Sequence, residues 1–167
     1  MTKEKAHQLI HILADLSYLK TSENNQVMLF RNIPKVLQEF LESIWRDKLA
    51  DEEIWQREPL FDQLFINWYL PGEGIVQHVD LPVFDDGILS LSLDDPCLIY
   101  FDPIPEYDEG LPAELILRHL DGLTISGTAR YKYTHRIDYC EDELSQDGII
   151  IERGHRVSLT MRRMIDN

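Results

Sequence analysis

The chain has 167 residues, 44% of them hydrophobic and 10% aromatic, with a formal net charge of −14; this is the profile of one globular domain, not of a disordered or fibrous chain. No apolar run approaches the roughly 18 residues of a membrane span, and the start of the chain is amphipathic rather than continuously apolar. No membrane association or secretory leader is expected, and a nuclear and/or cytoplasmic location follows. Cys97 and Cys140 stand alone with no C-x-x-C spacing, so reduced structural thiols are expected rather than a zinc cluster or a disulfide framework.

Between Glu4 and Leu19, apolar residues at Ala6, Leu9, Ile10, Leu13 and Leu16 keep the three-and-four spacing of a helical stripe. Polar residues from Thr21 to Gln26 break it, and Val27 to Phe30 is a short apolar run suited to a strand. Pro34 fits the first turn of a second helix, whose Val36, Leu37, Phe40, Leu41, Ile44 and Trp45 repeat the helical spacing. From about Asp62 the period changes to two. Short runs appear at Leu64 to Tyr69, Ile88 to Leu93, Cys97 to Phe101, Glu114 to Leu120, Leu123 to Ser126, Ala129 to Ile137 and Arg156 to Met164, the pattern of a β-sandwich or barrel. Asp138 to Gly148 reads as a mobile acidic loop.

Charge is unevenly placed. From Val79 to Pro112 there are nine acids and no Lys or Arg, a stretch that repels phosphate. Arg118, Arg130, Lys132, Arg136, Arg153, Arg156, Arg162 and Arg163 follow later, so a local basic surface stays open.

His78 and Asp80, two residues apart in an extended segment, can address one ion. His135, at the end of the run Tyr131 to His135, can supply a third donor, and two histidines with one carboxylate suit a non-haem ferrous centre with open positions. Alone, H-x-D recurs by chance, and a surface histidine beside a solvated acid is the usual case. His7 and His11 share a helix face but lack a third ligand, and a wet helix surface is the expectation there. Near the end of the chain, Arg156, Ser158, Thr160 and Arg162 alternate with Val157, Leu159 and Met161. Either set can be the inner one: an apolar core with solvated arginines, or two interior arginines that require an anion. Guanidinium forks match carboxylates, so a dicarboxylate answers the second case.

The ordered set Asn67-x-Tyr69-x-Pro71-Gly72, His78-x-Asp80, Ser90-Leu91-Ser92-Leu93, Ser126-Gly127-x-Ala129-Arg130-Tyr131, His135 and Arg156-x-Ser158-x-Thr160-x-Arg162 resembles the AlkB-like Fe(II)/2-oxoglutarate-dependent dioxygenases, over roughly residues 60 to 164. The resemblance implies a mainly β fold with flanking helices, a double-stranded β-helix or jelly roll. It implies a single AlkB-like dioxygenase domain over residues 1–167, with 1–58 as helical support and 60–164 as the catalytic core. His78, Asp80 and His135 would be the catalytic metal ligands for Fe(II). Arg156 would grip the distal carboxylate of the cosubstrate 2-oxoglutarate, Arg162 would approach the carboxylate beside its keto group, and Asn67, Tyr69 and Ser158 would complete that pocket. Ser158 stands where bacterial AlkB has Asn. With O2, such a site oxidises a C–H bond; on an N-methyl group the resulting hemiaminal releases formaldehyde, a net demethylation.

Two departures bear on substrate. Leu81 and Pro82 follow the H-x-D pair where DNA-repair members carry another acid, and Arg136 replaces the small residue that usually follows the distal histidine. The first departure, with little positive charge in the N-terminal helices, argues against direct repair of alkylated bases, while Arg136 either reaches substrate or, as expected here, points to solvent. The acidic stretch points to a methylated macromolecule of cationic character, such as a basic, histone-like protein. Modified RNA or alkylated nucleic acid is the alternative, with RNA favoured over duplex DNA. A non-catalytic scaffold is a third, disfavoured by an intact triad and two intact arginines.

Overall fold

The computed structural model describes residues 1–18, 25–49, 52–107 and 110–165. The amphipathic stripe forms α1 (Lys3–Asp15), capped by the Thr2 hydroxyl, which accepts from the Lys5 amide; capping of this kind satisfies an otherwise orphaned N-terminal donor. The expected end of this helix at Leu19 and the break at residues 21–24 lie outside the described residues. Strand β1 (Gln26–Phe30) and helix α2 (Lys35–Leu49) follow, with Pro34 just ahead of the helix and its carbonyl accepting from Leu37 and Gln38.

The strands then come in order: β2 (Gln63–Tyr69), β3 (Ile75–His78), β4 (Ile88–Asp94), β5 (Cys97–Pro103), β6 (Ala113–Leu117) and β7 (Gly122–Ile125). The short helix α3 (Gly127–Tyr131) precedes β8 (Tyr133–Ile137), β9 (Asp142–Leu144), β10 (Ile150–Glu152) and β11 (Arg156–Arg162). A five-stranded antiparallel sheet in the order β1-β2-β11-β4-β7 faces a four-stranded antiparallel sheet in the order β3-β8-β5-β6. This is the jelly roll expected, with helices on one outer face. β1 comes from the N-terminal region but belongs to the larger sheet, so that region contributes a strand as well as helices.

Two expectations fail locally. The run Ala129 to Ile137 is not one strand: residues 127–131 are helical, and Gly127 has φ +51°, a left-handed conformation that only glycine adopts without strain. The segment Asp138 to Gly148 is not simply a loop, since β9 pairs with β10 in an ordered hairpin. Its Glu143 is 6% exposed because buried Arg153 meets it at 3.2 Å, and the same carboxylate oxygen accepts from the Leu98 amide. A charge pair ten residues apart thereby turns a polar segment into packed structure.

The larger sheet has two unlike faces. Leu64, Ile66, Leu89, Leu91, Leu93, Val157, Leu159 and Met161 point outward into one apolar core with Leu9, Leu13, Leu37, Leu41 and Trp45 of the helices. Each such fully buried aliphatic side chain contributes roughly 1.5–3 kcal/mol of transfer free energy. The inner face of the sheet turns toward a cavity closed on the far side by Ile99, Leu117 and Ile137 of the smaller sheet, with Ile125 of β7 at the edge of the larger one. Cys97 is buried in that second cluster and Cys140 is partly buried; both are free thiols.

Candidate metal centre and cosubstrate cavity

The two histidines come together through sheet register: His78 of β3 lies directly opposite His135 of β8, with ring centroids 4.2 Å apart. Asp80 lies just beyond the end of β3, past an irregularity in pairing between Ile75 and His78. The segment carries no turn until residues 82–83, and Asp80, two residues past His78, comes to the same site. Donor atoms from His78, Asp80 and His135 all fall within 4.8 Å of one another, close enough to share one metal ion. Asp80 and His135 are 8% and 9% exposed.

Each donor is set by a neighbour. His78 Nδ1 lies 2.8 Å from the Val76 carbonyl; a carbonyl can only accept, so Nδ1 carries the proton and Nε2 keeps a free lone pair, the usual outer support of a metal-binding imidazole. The Asp80 carboxylate is divided between two tasks. Its Oδ1 accepts from Arg162 Nη2 at 2.7 Å, while Oδ2 faces His135 Nε2 at 3.6 Å. That second contact is not an ion pair, because burial, reinforced by the adjacent His78 ring, holds the His135 pKa well below its ordinary range despite Asp80 beside it. A neutral imidazole beside a carboxylate is a donor pair that can serve one cation.

The cavity behind this triad is lined on the sheet side by Asn67, Tyr69, Ser90, Arg156, Ser158 and Arg162. Register explains their assembly, since β2 pairs with β11 to place Arg156 opposite Tyr69, Ser158 opposite Asn67 and Arg162 opposite Gln63. The interior reading of the arginine strand is the one realised: Arg156 is 3% exposed and Ser158 6%. Val157, Leu159 and Met161 are buried on the other face, so the apolar half of the first alternative holds while its solvated arginines do not.

Arg156 tests whether a dicarboxylate fits. Its Nε and Nη2 both donate to the Ser92 hydroxyl, at 3.0 and 2.7 Å, and its guanidinium lies over the Tyr69 ring at 5.2 Å. Its Nη1 is buried with no partner, and no carboxylate pairs with it among the described residues. A buried cation lacking a counter-ion is strongly unfavourable. A carboxylate entering the cavity removes that penalty, and 2-oxoglutarate, with one carboxylate for Arg156 and a chelating end for the metal, has the required chemistry. Arg162 is otherwise engaged: besides Asp80 it donates to Gln63 Oε1 at 3.1 Å, and only its Nε is buried without a partner.

Several residues of the site had no sequence signal of their own. Ser92 was part of a quoted motif, but its role as the seat of Arg156 depends on the β4–β11 register. Gln63 was unremarked, and Arg130 had no assigned task. Arg136, one of the departures, sits on the opposite face of β8 from His135, pairs with Asp102 and with Asp138 at 2.8 Å, and stacks over Tyr100. The charge map is likewise redistributed. Arg130, Arg153 and Arg156 are interior, leaving Arg118 and Lys132 as exposed members of the late basic set. Many acids of the 79–112 stretch are engaged locally: Asp80 by Arg162, Asp85 by Arg57, Asp86 by the Gly127 amide and Asp102 by Arg136. Asp108 and Glu109 lie outside the described residues.

Two histidines and a carboxylate close enough to share one ion, set in a jelly roll, are the donor set that mononuclear non-haem metal oxygenases use. The chain belongs to the 2OG-Fe(II) oxygenase superfamily, whose sequence profile matches residues 6–162, and within it to the AlkB-like members. Mouse "tRNA (carboxymethyluridine(34)-5-O)-methyltransferase ALKBH8" is 34% identical over 158 residues, covering 85% of this chain and 23% of that protein. The "Alkylated DNA repair protein ALKBH8 homolog" of Arabidopsis thaliana is 32% identical over 118 residues, covering 62% of this chain and 34% of that protein. The chain thus spans about a quarter to a third of these relatives. Among solved structures, that titled "The structure of OsALKBH1" superposes with a TM-score of 0.54 at 17% identity, over 78% of this chain and 66% of the other, and supports the fold.

Proposed function

We propose that this chain is an Fe(II)- and 2-oxoglutarate-dependent dioxygenase that oxidises a C–H bond on a modified nucleoside, RNA being the favoured carrier. The observation that carries the reaction class is the pairing of an open three-donor set with a buried, counter-ion-free Arg156 in one cavity. In this reading His78, Asp80 and His135 hold the metal. Arg156, seated on Ser92, takes the distal carboxylate, and Asn67, Tyr69 and Ser158 shape the space between. Arg162 orients Asp80 and flanks the chelating end. Bound Fe(II), with 2-oxoglutarate and O2, supplies the oxidising power, converting the cosubstrate to succinate and CO2. The aliphatic wall of Ile99, Leu117, Ile125 and Ile137 excludes water from the cosubstrate.

The substrate assignment rests on two supports. The relatives named above carry tRNA and alkylated DNA in their names, and neither name mentions a basic protein. Leu81 and Pro82, in place of a further acid, weigh against alkylated DNA bases. A methylated basic protein, the first expectation from the charge map, loses part of its motive because three of the nine acids, Asp80, Asp85 and Asp102, are paired with arginines. If the oxidised carbon is an N-methyl group, formaldehyde is the second product; otherwise a stable alcohol remains. Residues 1–167 are taken as one catalytic unit, working in the nucleus and/or cytoplasm.

The test is a succinate-formation screen with iron-loaded protein across modified RNA, alkylated DNA and methylated basic peptides, with formaldehyde measured in parallel. Succinate coupled to an RNA modification is expected. Turnover with peptides alone overturns the substrate assignment, and no turnover with any substrate overturns the reaction class.

A further inference from the structure

Arg130 is 2% exposed and makes no ion pair with any acid among the described residues. Its guanidinium instead holds three backbone carbonyls of one short segment. Nη1 donates to the Asp80 carbonyl at 2.9 Å, and Nη2 donates to those of Leu81 at 2.9 Å and Phe84 at 3.1 Å. Buried backbone carbonyls need partners, and those of Asp80, Leu81 and Phe84, which lie outside the named strands, find one in Arg130, whose own Nε is buried without a partner. The segment in question leaves β3 at the metal site. Its far end is tied elsewhere, with Phe84 bridging to Met164 and the Asp85 amide donating to the Arg163 carbonyl.

The position of Arg130 in the chain gives the clamp its meaning. It belongs to α3, which runs directly into β8, and it stands five residues before His135. A second tie joins the same two segments, since the Asp86 carboxylate accepts from the Gly127 amide at 2.9 Å. Arg162 fixes the side chain of Asp80, but nothing in that contact fixes Asp80 relative to His135. Arg130 does, by anchoring the Asp80 peptide to the helix that leads directly into the strand carrying His135.

We propose that Arg130 is a positioning residue for the metal centre, setting the spacing between the Asp80 and His135 donors and through it the affinity and geometry of the bound ion. The proposal rests on the metal-site reading above and assigns Arg130 no contact with metal, cosubstrate or substrate. Outer-shell partners of ligands typically change metal affinity 10- to 100-fold when removed. A guanidinium that holds backbone rather than a ligand side chain belongs to that class because the donor it moves is carried rigidly on the backbone.

The experiment uses Co(II) as probe, since its visible absorption reports coordination geometry as well as occupancy. Wild type, Arg130→Met and Arg130→Lys are titrated, and the thermal unfolding of each metal-free protein is recorded beside the titration. Arg130→Met removes every donor at similar length, whereas Arg130→Lys keeps charge and a reduced set of donors, and it is the variant that carries the test if the first does not fold. The expected result is a Co(II) dissociation constant raised about 10- to 100-fold in Arg130→Met with an altered absorption band, and an intermediate effect in Arg130→Lys. A merely structural arginine would lower the unfolding temperature while the folded fraction binds Co(II) normally. A folded variant with affinity within about twofold of wild type and an unchanged band overturns the proposal. Wild type that binds no divalent ion overturns the metal-centre reading instead, and this inference with it.

Discussion

Replacing Arg156 with Met separates the cost of an interior cation from its use. The side chain is 3% exposed, bonded only to the Ser92 hydroxyl, and has one buried donor without a partner. Met fills similar space without a charge. Losing the Ser92 bonds costs about 1–2 kcal/mol, and relieving an uncompensated interior charge returns an amount of the same order. Metal-free stability is therefore expected to stay within about 1 kcal/mol of wild type in urea unfolding, or to rise. Binding of 2-oxoglutarate should behave differently. A carboxylate held by two charge-assisted hydrogen bonds at about 1.5 kcal/mol each loses about 3 kcal/mol, or roughly 100-fold in affinity. Calorimetric titration of 2-oxoglutarate into the metal-loaded protein measures this directly. Affinity within threefold of wild type would refute the assignment of Arg156 to the distal carboxylate; a large loss of metal-free stability would refute the claim that the guanidinium lacks a compensating partner.

Asp80→Ala is expected to abolish divalent-metal binding and 2-oxoglutarate turnover, and to destabilise the metal-free protein by a few kcal/mol because Arg162 is left buried without its counter-ion; retained turnover removes Asp80 from the ligand set. Ser92→Ala should raise the KM for 2-oxoglutarate about tenfold through a misaligned Arg156 with little change in kcat, and Ser92→Thr, which keeps the hydroxyl, should restore most of it. Steady-state kinetics with the cosubstrate varied decides the point. His135 supplies a pH signature. Its folded-state pKa is depressed to about 4 by burial and by His78, whereas the unfolded chain protonates near pH 6.5. Between those values the unfolded state binds the extra proton, so metal-free stability falls as pH is lowered from about 6.5 toward 4, by up to roughly 1.4 kcal/mol per pH unit. Denaturant midpoints of wild type and His135→Gln should show this slope only in the wild type; equal slopes refute the shifted imidazole.

Much of the fold was legible because the sheet strands carry period-two patterns bounded by Gly, Pro and Asp. The elements that escaped are those built by distant partners. α3 has the β-branched and aromatic composition of the strand it leads into, and its helical turn depends on the left-handed Gly127 and on ties to the 80–86 segment. The β9–β10 hairpin looks like solvated loop until Arg153 is brought against Glu143. β3 was not distinguished as a strand, being short, half exposed and irregularly paired. The donors of the candidate site were legible as residue types at suggestive spacing, together with the arginine strand. What holds them was not, because Ser92, Gln63 and Arg130 act through register and backbone contacts that no local pattern records.

Strand β11 is a partition one residue thick, with aliphatic packing on one side and the cosubstrate pocket on the other. Nothing insulates the two. A methylene removed at Leu159 leaves a gap in the apolar core directly behind the strand whose Ser158 and Thr160 line the cavity. The shape of the cavity is therefore tied to packing on the apolar face of the same sheet.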